Sequence, residues 1–472
     1  MRKLYWYLTA YFRKHGLVLL GSLIGGIIIF SFLIPGLVST FAQKPRQYVG
    51  LIGEYTLQNL PQEVKREISV GLTQVADDGS AQPYLAERWI VEDEGKTYRF
   101  ILKKDVYWQD GQVVTPDSVQ YQFADALVVT TPNDIIFKLP DRFVPFPAVV
   151  AEPVIRYGTQ KRWFFIEEQS IIGIGPHKVT SYKRLGNRLT ELVVDAPDAR
   201  TIYRFYLTES EAITAFKLGQ VDTLPDLTDV GDLSSWSTVT VSPKLATDRY
   251  LALFFNNASP LLSKSVRQAI SYALTKPSGI ERALGPINPQ SWAYLRGGKA
   301  YDKDVGRGVE RLLDEIPPEK MQLELATTPA FESEAESIRK ELEDLGAAAL
   351  AACQASKDLK DKSVCEKLAI SVTVKISNFP DTTNFQLLLI GQEAPSDPDQ
   401  YFLWHSEQPT NFTHYKNTRI DSLLEKGRQT TDQNERLAVY QEFQQFLLED
   451  PPAVFLRHLS SYAVTRRNWS SP

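Results

Sequence analysis

Between Leu102 and Phe123 the chain reads "LKKDVYWQDGQVVTPDSVQYQF": Asp110-Gly111 and then Thr115-Pro116-Asp117-Ser118 break the run, and aromatics follow. Just upstream, Tyr98, Phe100 and Leu102 alternate with Thr97, Arg99 and Ile101, the two-residue period of a strand. Asp110-Gly111 marks a turn, and Thr115 followed by Pro116 predicts a helix with proline at its first position. The expected local structure is a strand, a turn beside Trp108, and a helix that carries Tyr121 and Phe123.

Outward from that stretch, strands and helices mix. Tyr250–Phe255 is a continuous apolar and aromatic run, as for a strand buried on both faces. In "SVRQAISYAL" that follows, Val266, Ala269, Ile270, Ala273 and Leu274 share one helical stripe. In "FESEAESIRKELEDLG", Ala335, Ile338, Leu342 and Leu345 face inward and Gly346 is expected to stop the helix. Asp432 and Glu435 form a capping box before a helix lined by Leu437, Tyr440, Phe443 and Leu447, which Pro451-Pro452 ends. A strand, Ala453–Leu456, comes next. With no internal repeat, the class is α/β or α+β in more than one lobe.

The chain has 472 residues, enough for two or three cores, with 43% hydrophobic and 23% charged residues. Its net charge of −5 is unevenly distributed: six basic residues and no acid lie in 1–46, which leaves 46 basic and 57 acidic residues, or −11, in the rest. So acidic a body is a poor nucleic-acid binder. Gly16–Phe41 is a run of 26 residues without charge, and roughly 20 suffice to span a bilayer as a helix. The run exceeds the apolar region of a cleavable signal, so residues 16–41 read as a transmembrane anchor, with cleavage after Ala42 the alternative. Four basic residues precede it and two follow, which puts residues 1–15 in the cytoplasm and the body outside. There the two cysteines, Cys353 and Cys365, are expected to close a local disulfide, with two free thiols the alternative.

Motifs for catalysis, metals and cofactors are missing: there is no G-x-S-x-G elbow, HExxH helix or phosphate loop. "GIGPHK" at Gly173–Lys178 lacks the third glycine of a dinucleotide fingerprint and reads as a turn. His405 and His414 are too far apart for a helical ligand pair and are expected in surface loops. Asp397 and Asp399 in "PSDPD" suit an Asx-type turn better than acid–base chemistry. Asn411-Phe412-Thr413 and Asn468-Trp469-Ser470 match glycosylation sequons of a kind common by chance.

Gly71–Phe123 resembles the signature region of family 5 extracellular solute-binding proteins, the dipeptide, oligopeptide and nickel receptors of ABC importers. Pro83, Leu85, Ala86, Trp89, Trp108, Gly111, Asp117, Val119, Tyr121 and Phe123 stand where that family has its pattern. Three further blocks match in order: Gly173–His177, "YLALFFNNASPLLSKSVRQAISYAL", and the stretch from Asp397 to Leu456. The likeness spans roughly residues 47–467.

The resemblance implies a two-lobed periplasmic-binding-protein-like fold (type II, cluster C like) with an inserted subdomain, preceded here by the one transmembrane helix. Lobe I would comprise 47–255 with the subdomain at about 60–170, lobe II 256–452, and 453–472 would return to lobe I. Ligand would be enclosed between lobes that close by a hinge. The implied partners are a peptide or other small solute and ABC permease subunits, with no cofactor and no catalysis. Peptide-binding members hold the ligand's amino group with an aspartate just before the Asp-Pro-Asp block. Aligned on Asp397-Pro398-Asp399, that place holds Ala394, with Glu393 adjacent. Candidate ligand contacts are therefore Glu393, Asp397 and Asp399, faced by Ser69, Val70 and Gly71. Trp292 and Trp404 are either aromatic walls or core. The same fold also suits a membrane-anchored sensor or scaffold without a permease, or a binder of a sugar or metal chelate.

Overall fold

The strand that ends in Tyr250–Phe255 divides two cores, because every residue of that run is buried and successive side chains point to opposite faces. Leu251, Leu253 and Phe255 enter an aliphatic core with the helices Lys264–Ala273, Val305–Asp314 and Glu332–Ala355. Tyr250, Ala252 and Phe254 enter a more aromatic one with Trp404, Tyr415, Tyr440 and Phe443. This computed structural model describes residues 14–18, 21, 22, 24–26, 44–162, 166–356 and 362–467. The expected span 16–41 lies largely outside them, and among the described residues no helix is long and apolar enough to cross a membrane. Asn468 is also outside them.

One mixed sheet of ten strands runs through the molecule. Its order is Lys178–Leu185, Arg188–Asp195, Arg200–Tyr206, Arg46–Ile52, Thr223–Leu227, Ala453–Arg466, Val239–Phe255, Leu387–Glu393, Met321–Thr327 and Ile370–Ile376. The antiparallel strands Val239–Phe255 and Ala453–Arg466 connect its halves. Val239–Ala246 pairs with Leu459–Arg466 on one side, and Tyr250–Phe254 with Ala453–His458 on the other. The register shifts between Ala246 and Tyr250, so Thr247–Arg249 interrupt the ladder midway.

A smaller four-stranded sheet, ordered Ala86–Glu92, Thr97–Leu102, Asp134–Lys138 and Leu127–Thr130, forms a separate subdomain core around Tyr98, Phe100, Phe137 and Phe146. Trp108 is buried there; its indole N–H donates to Ser118 Oγ at 3.0 Å and the Arg156 guanidinium stacks on its ring. Gly111 closes the turn with φ +84° and donates to the Trp108 carbonyl. The helix expected after Thr115 is only a 3₁₀ turn, Pro116–Ser118, with Val119 already extended. Tyr121 and Phe123 stack at 5.8 Å, which an extended chain allows and a helix does not, since residues two apart on a helix never face each other. The Tyr121 hydroxyl donates to the carbonyls of Val150 and Glu152, so tertiary bonds replace helical ones.

Gly346 does not stop its helix, which runs on to Ala355 through the helix-favouring "AAALAAC". A Cβ at 346 would meet Ile370 N at 2.5 Å, so the glycine is there for close helix–strand packing. Cys353 and Cys365 form a disulfide that ties the end of this helix to the 3₁₀ segment Lys362–Leu368.

Candidate functional site

A cleft of about 1050 Å³ opens where the two long strands lose register, and Lys244–Arg249 form its floor. One wall is the end of helix Gln62–Ile68 with Ser69, Val70 and Gly71. Ser69 leaves the helix in extended conformation, and its hydroxyl donates to the Val154 carbonyl while accepting from Ile174 N at 3.2 Å. That hydroxyl is thus committed, and the exposed side chains of this wall are Gln62 and Arg66. At Gly71 a Cβ would strike the carbonyl carbon of Ala151 at 2.5 Å, so only glycine lets the chain pass beneath that segment. Gln109, from the turn beside Trp108, locks the wall from behind. Its amide donates to the carbonyls of Ile68 (2.9 Å) and His177 (2.7 Å) and accepts from Gly173 N at 3.0 Å. The glycine-rich stretch 173–177 is accordingly a turn packed on Ile68.

The hairpin of strands Thr73–Val75 and Ala81–Pro83 arches over the cleft. Asp78 accepts from Ser80 N–H and Oγ–H, which holds its carboxyl below the ordinary range and fixes the turn. The tip meets the opposite wall twice: the Asp78 carbonyl accepts from Trp292 N at 2.9 Å, and Gly79 (φ +84°) packs on the Ser396 carbonyl with no room for a Cβ. Asn288, Ser291 and Glu393–Ser396 make up that wall.

Charges of both signs line the cleft. Arg249 pairs with Asp226 at 3.1 Å; burial works against the Arg249 charge, and Asp226, Asp248 and Glu393 outweigh it. Glu393 faces Arg249 across the strands, yet its exposed carboxylate has no hydrogen bond or ion pair among the described residues. Arg66, on the first wall, is likewise exposed and without an ion-pair partner among them. Arg66, Lys244, Asp248 and the hairpin tip were missed in the sequence; only "DDGS", a turn signal, pointed to the tip.

Ser69, Val70, Gly71 and Glu393 therefore come together at the cleft. The other four candidates do not line it, and each is engaged elsewhere. Asp397 receives two hydrogen bonds from Arg436, at 2.6 and 2.8 Å. Burial opposes the Arg436 charge, but Asp397 and Tyr440 hold the guanidinium above its ordinary value. Asp399 accepts from Arg428 Nε at 2.8 Å; burial still pushes its carboxyl up despite that cation. Both also accept from main-chain N–H two residues on, the Asx-type turn read from "PSDPD". Trp292 packs against Arg436 and Tyr440. Trp404 is fully buried between Phe254 and Phe455, a core residue rather than a wall.

His405, expected in a surface loop, is buried: it stacks on Tyr401 at 4.3 Å and lies 3.2 Å from Glu425 Oε1. His414 is exposed, as expected. Asn411 is buried and donates to the carbonyls of His405 and Tyr415, so the first sequon is inaccessible in the fold. Among the described residues no group of three His, Cys, Asp or Glu could hold a metal ion.

Comparison with known proteins bears on this arrangement. The family model "Bacterial extracellular solute-binding proteins, family 5 Middle" matches residues 80–413. The chain is 22% identical to the dipeptide-binding protein of Escherichia coli (strain K12), with 85% of this chain and 84% of that one covered. It is 22% identical to the oligopeptide-binding protein AppA of Bacillus subtilis (strain 168), covering 90% and 89%. Its fold is similar to that of NikZ from Campylobacter jejuni, crystallised with Ni(L-His), at a TM-score of 0.67 and 21% identity, over 90% of this chain and 94% of that one.

Proposed function

The chain belongs to the bacterial extracellular solute-binding proteins of family 5, and from that premise we propose that it captures peptide-like solutes in the cleft for an ABC importer. The observation that carries the peptide reading is the pair of uncommitted opposite charges, Arg66 and Glu393, on facing walls of one cleft. A zwitterion offers an ammonium to Glu393 and a carboxylate to Arg66. Asp397, Asp399 and Trp404 support the wall and touch no solute. The function is binding; no chemical step is involved.

The test is calorimetric titration with trialanine and with its N-acetylated form, alongside native mass spectrometry of whatever co-purifies. Trialanine should bind and the capped form should bind at least tenfold more weakly. Equal affinity for both would overturn the reading of an ammonium site.

We also propose that Gly16–Phe41 anchors the body at the extracytoplasmic face, supported by its length, its lack of charge and the four basic residues ahead of it. Intact mass of the native protein checks this, and a chain that starts at Gln43 would overturn it.

A further inference from the structure

Besides the two long strands and the hairpin tip at Asp78–Gly79, the inserted subdomain touches the opposite lobe along a seam at Gly95, Phe143 and Val144. Val144 N–H donates to the Arg428 carbonyl at 2.8 Å, and Gly95 lies against Thr431. The Arg428 guanidinium is 5.1 Å from the Phe143 ring, 3.9 Å from that of Tyr401 and 4.6 Å from that of Phe402. Asp399 fixes its direction through Nε, and Nη2 is buried without a hydrogen-bond partner among the described residues. On the subdomain side the Phe143 loop is held firmly: Tyr98 Oη–H donates to the Phe143 carbonyl at 3.1 Å, and Phe143 N–H donates to Gly95 O at 3.2 Å.

We propose that Arg428, oriented by Asp399, is an interlobe latch: a positioning residue that holds the subdomain on the second lobe and so sets how much of the solute-free protein is closed. The division of its partners is the argument. Asp399, Tyr401 and Phe402 belong to the lobe of Arg428, whereas Phe143 and Val144 belong to the other. Closure adds the Phe143 ring face to a largely desolvated cation, where cation–π attraction is strongest, and separately a hydrogen bond from Val144 N–H to the main-chain carbonyl of Arg428. Opening removes both and still leaves the cation paired with Asp399, so no buried charge is stranded. Release is therefore cheap enough for a reversible latch. A closed fraction set in this way multiplies directly into the apparent affinity for any solute that binds the closed form.

The proposal rests on the two-lobed receptor reading, but its test needs no solute. Among the described residues there is no free cysteine, so cysteines introduced as Lys104→Cys on the subdomain and Phe379→Cys on the second lobe take spin labels selectively in the full chain. The unmodified seam should give one short, narrow distance distribution. Arg428→Gln should move it outward and raise the open population at least tenfold. Phe143→Ala, which touches the seam from the other side, should do the same, and Arg428→Lys should restore most of the closed form. Unchanged distances in Arg428→Gln and Phe143→Ala overturn the latch. A lowered melting temperature without a distance change also overturns it, because it assigns Arg428 a purely structural role.

Discussion

Glu393 and Asp397 are four residues apart, one lining the cleft and the other behind its wall, and the tertiary structure gives them opposite tasks. Glu393 ends a strand, projects into the cleft and has no hydrogen bond or ion pair among the described residues. Asp397 begins the next turn, and its carboxylate is clamped by Arg436 from helix Gln433–Glu449, whose charge is buried. An acid can read a ligand only where no arginine of the protein has claimed it. In this wall Arg428 and Arg436 claim the two aspartates, and both arginines lie far along the chain from them.

The largest effect that sharpens this contrast comes from Asp397→Ala. It leaves Arg436 buried without its carboxylate, and stripping one partner from a buried pair costs about 3–5 kcal/mol. Chemical denaturation should show that loss. A loss under about 1 kcal/mol would mean that Asp397 is as free as Glu393.

Replacing both Cys353 and Cys365 by serine probes a region far from the wall. Opening a loop of sequence separation 12 should lower stability by about 3 kcal/mol in the chain-entropy account, with solute affinity unchanged. An affinity change would tie that loop to the cleft.

Glu393→Gln is the converse of Asp397→Ala. Binding of trialanine should weaken at least tenfold, about 1.4 kcal/mol, while the denaturation midpoint stays within experimental error. Loss of stability with intact binding would make Glu393 another scaffold acid. Ala394→Asp should not strengthen binding, because Ala394 is buried in the aromatic core and a carboxylate there would be desolvated.

The smallest effect concerns pH at the junction of the two halves. His458, the cross-strand partner of Tyr250, is buried, and burial lowers its affinity for a proton below the ordinary imidazole value of 6.5. The unfolded chain then takes up that proton first, so stability should fall as pH drops through 6.5 and level off below the folded value. His458→Gln should flatten this part of a melting-temperature profile, and an unaltered profile would show that another group titrates there.

Period and composition alone determined several elements. The alternation at Tyr98, Phe100 and Leu102 made a strand, and the unbroken apolar run Tyr250–Phe255 made one with two buried faces. Asp432 capped its helix by accepting from Glu435 N–H, and Asp110-Gly111 made the turn. These are local matters: a two-residue period, a side-chain cap and a positive φ are set within a few residues. The four ordered blocks likewise sufficed to place the chain in its family.

Tertiary structure alone decided what local signals could not. Thr115-Pro116 opened a single turn because Tyr121 found acceptors in Val150 and Glu152, some thirty residues away. Gly346 stayed inside a helix because strand Ile370–Ile376 presses on it. The cleft joins Arg66, Lys244 and Glu393, which no spacing rule connects, and arginines at 428 and 436 took Asp397 and Asp399 out of it. Charge–charge energy depends on distance in space and on exclusion of water, and both exist only once the chain is folded.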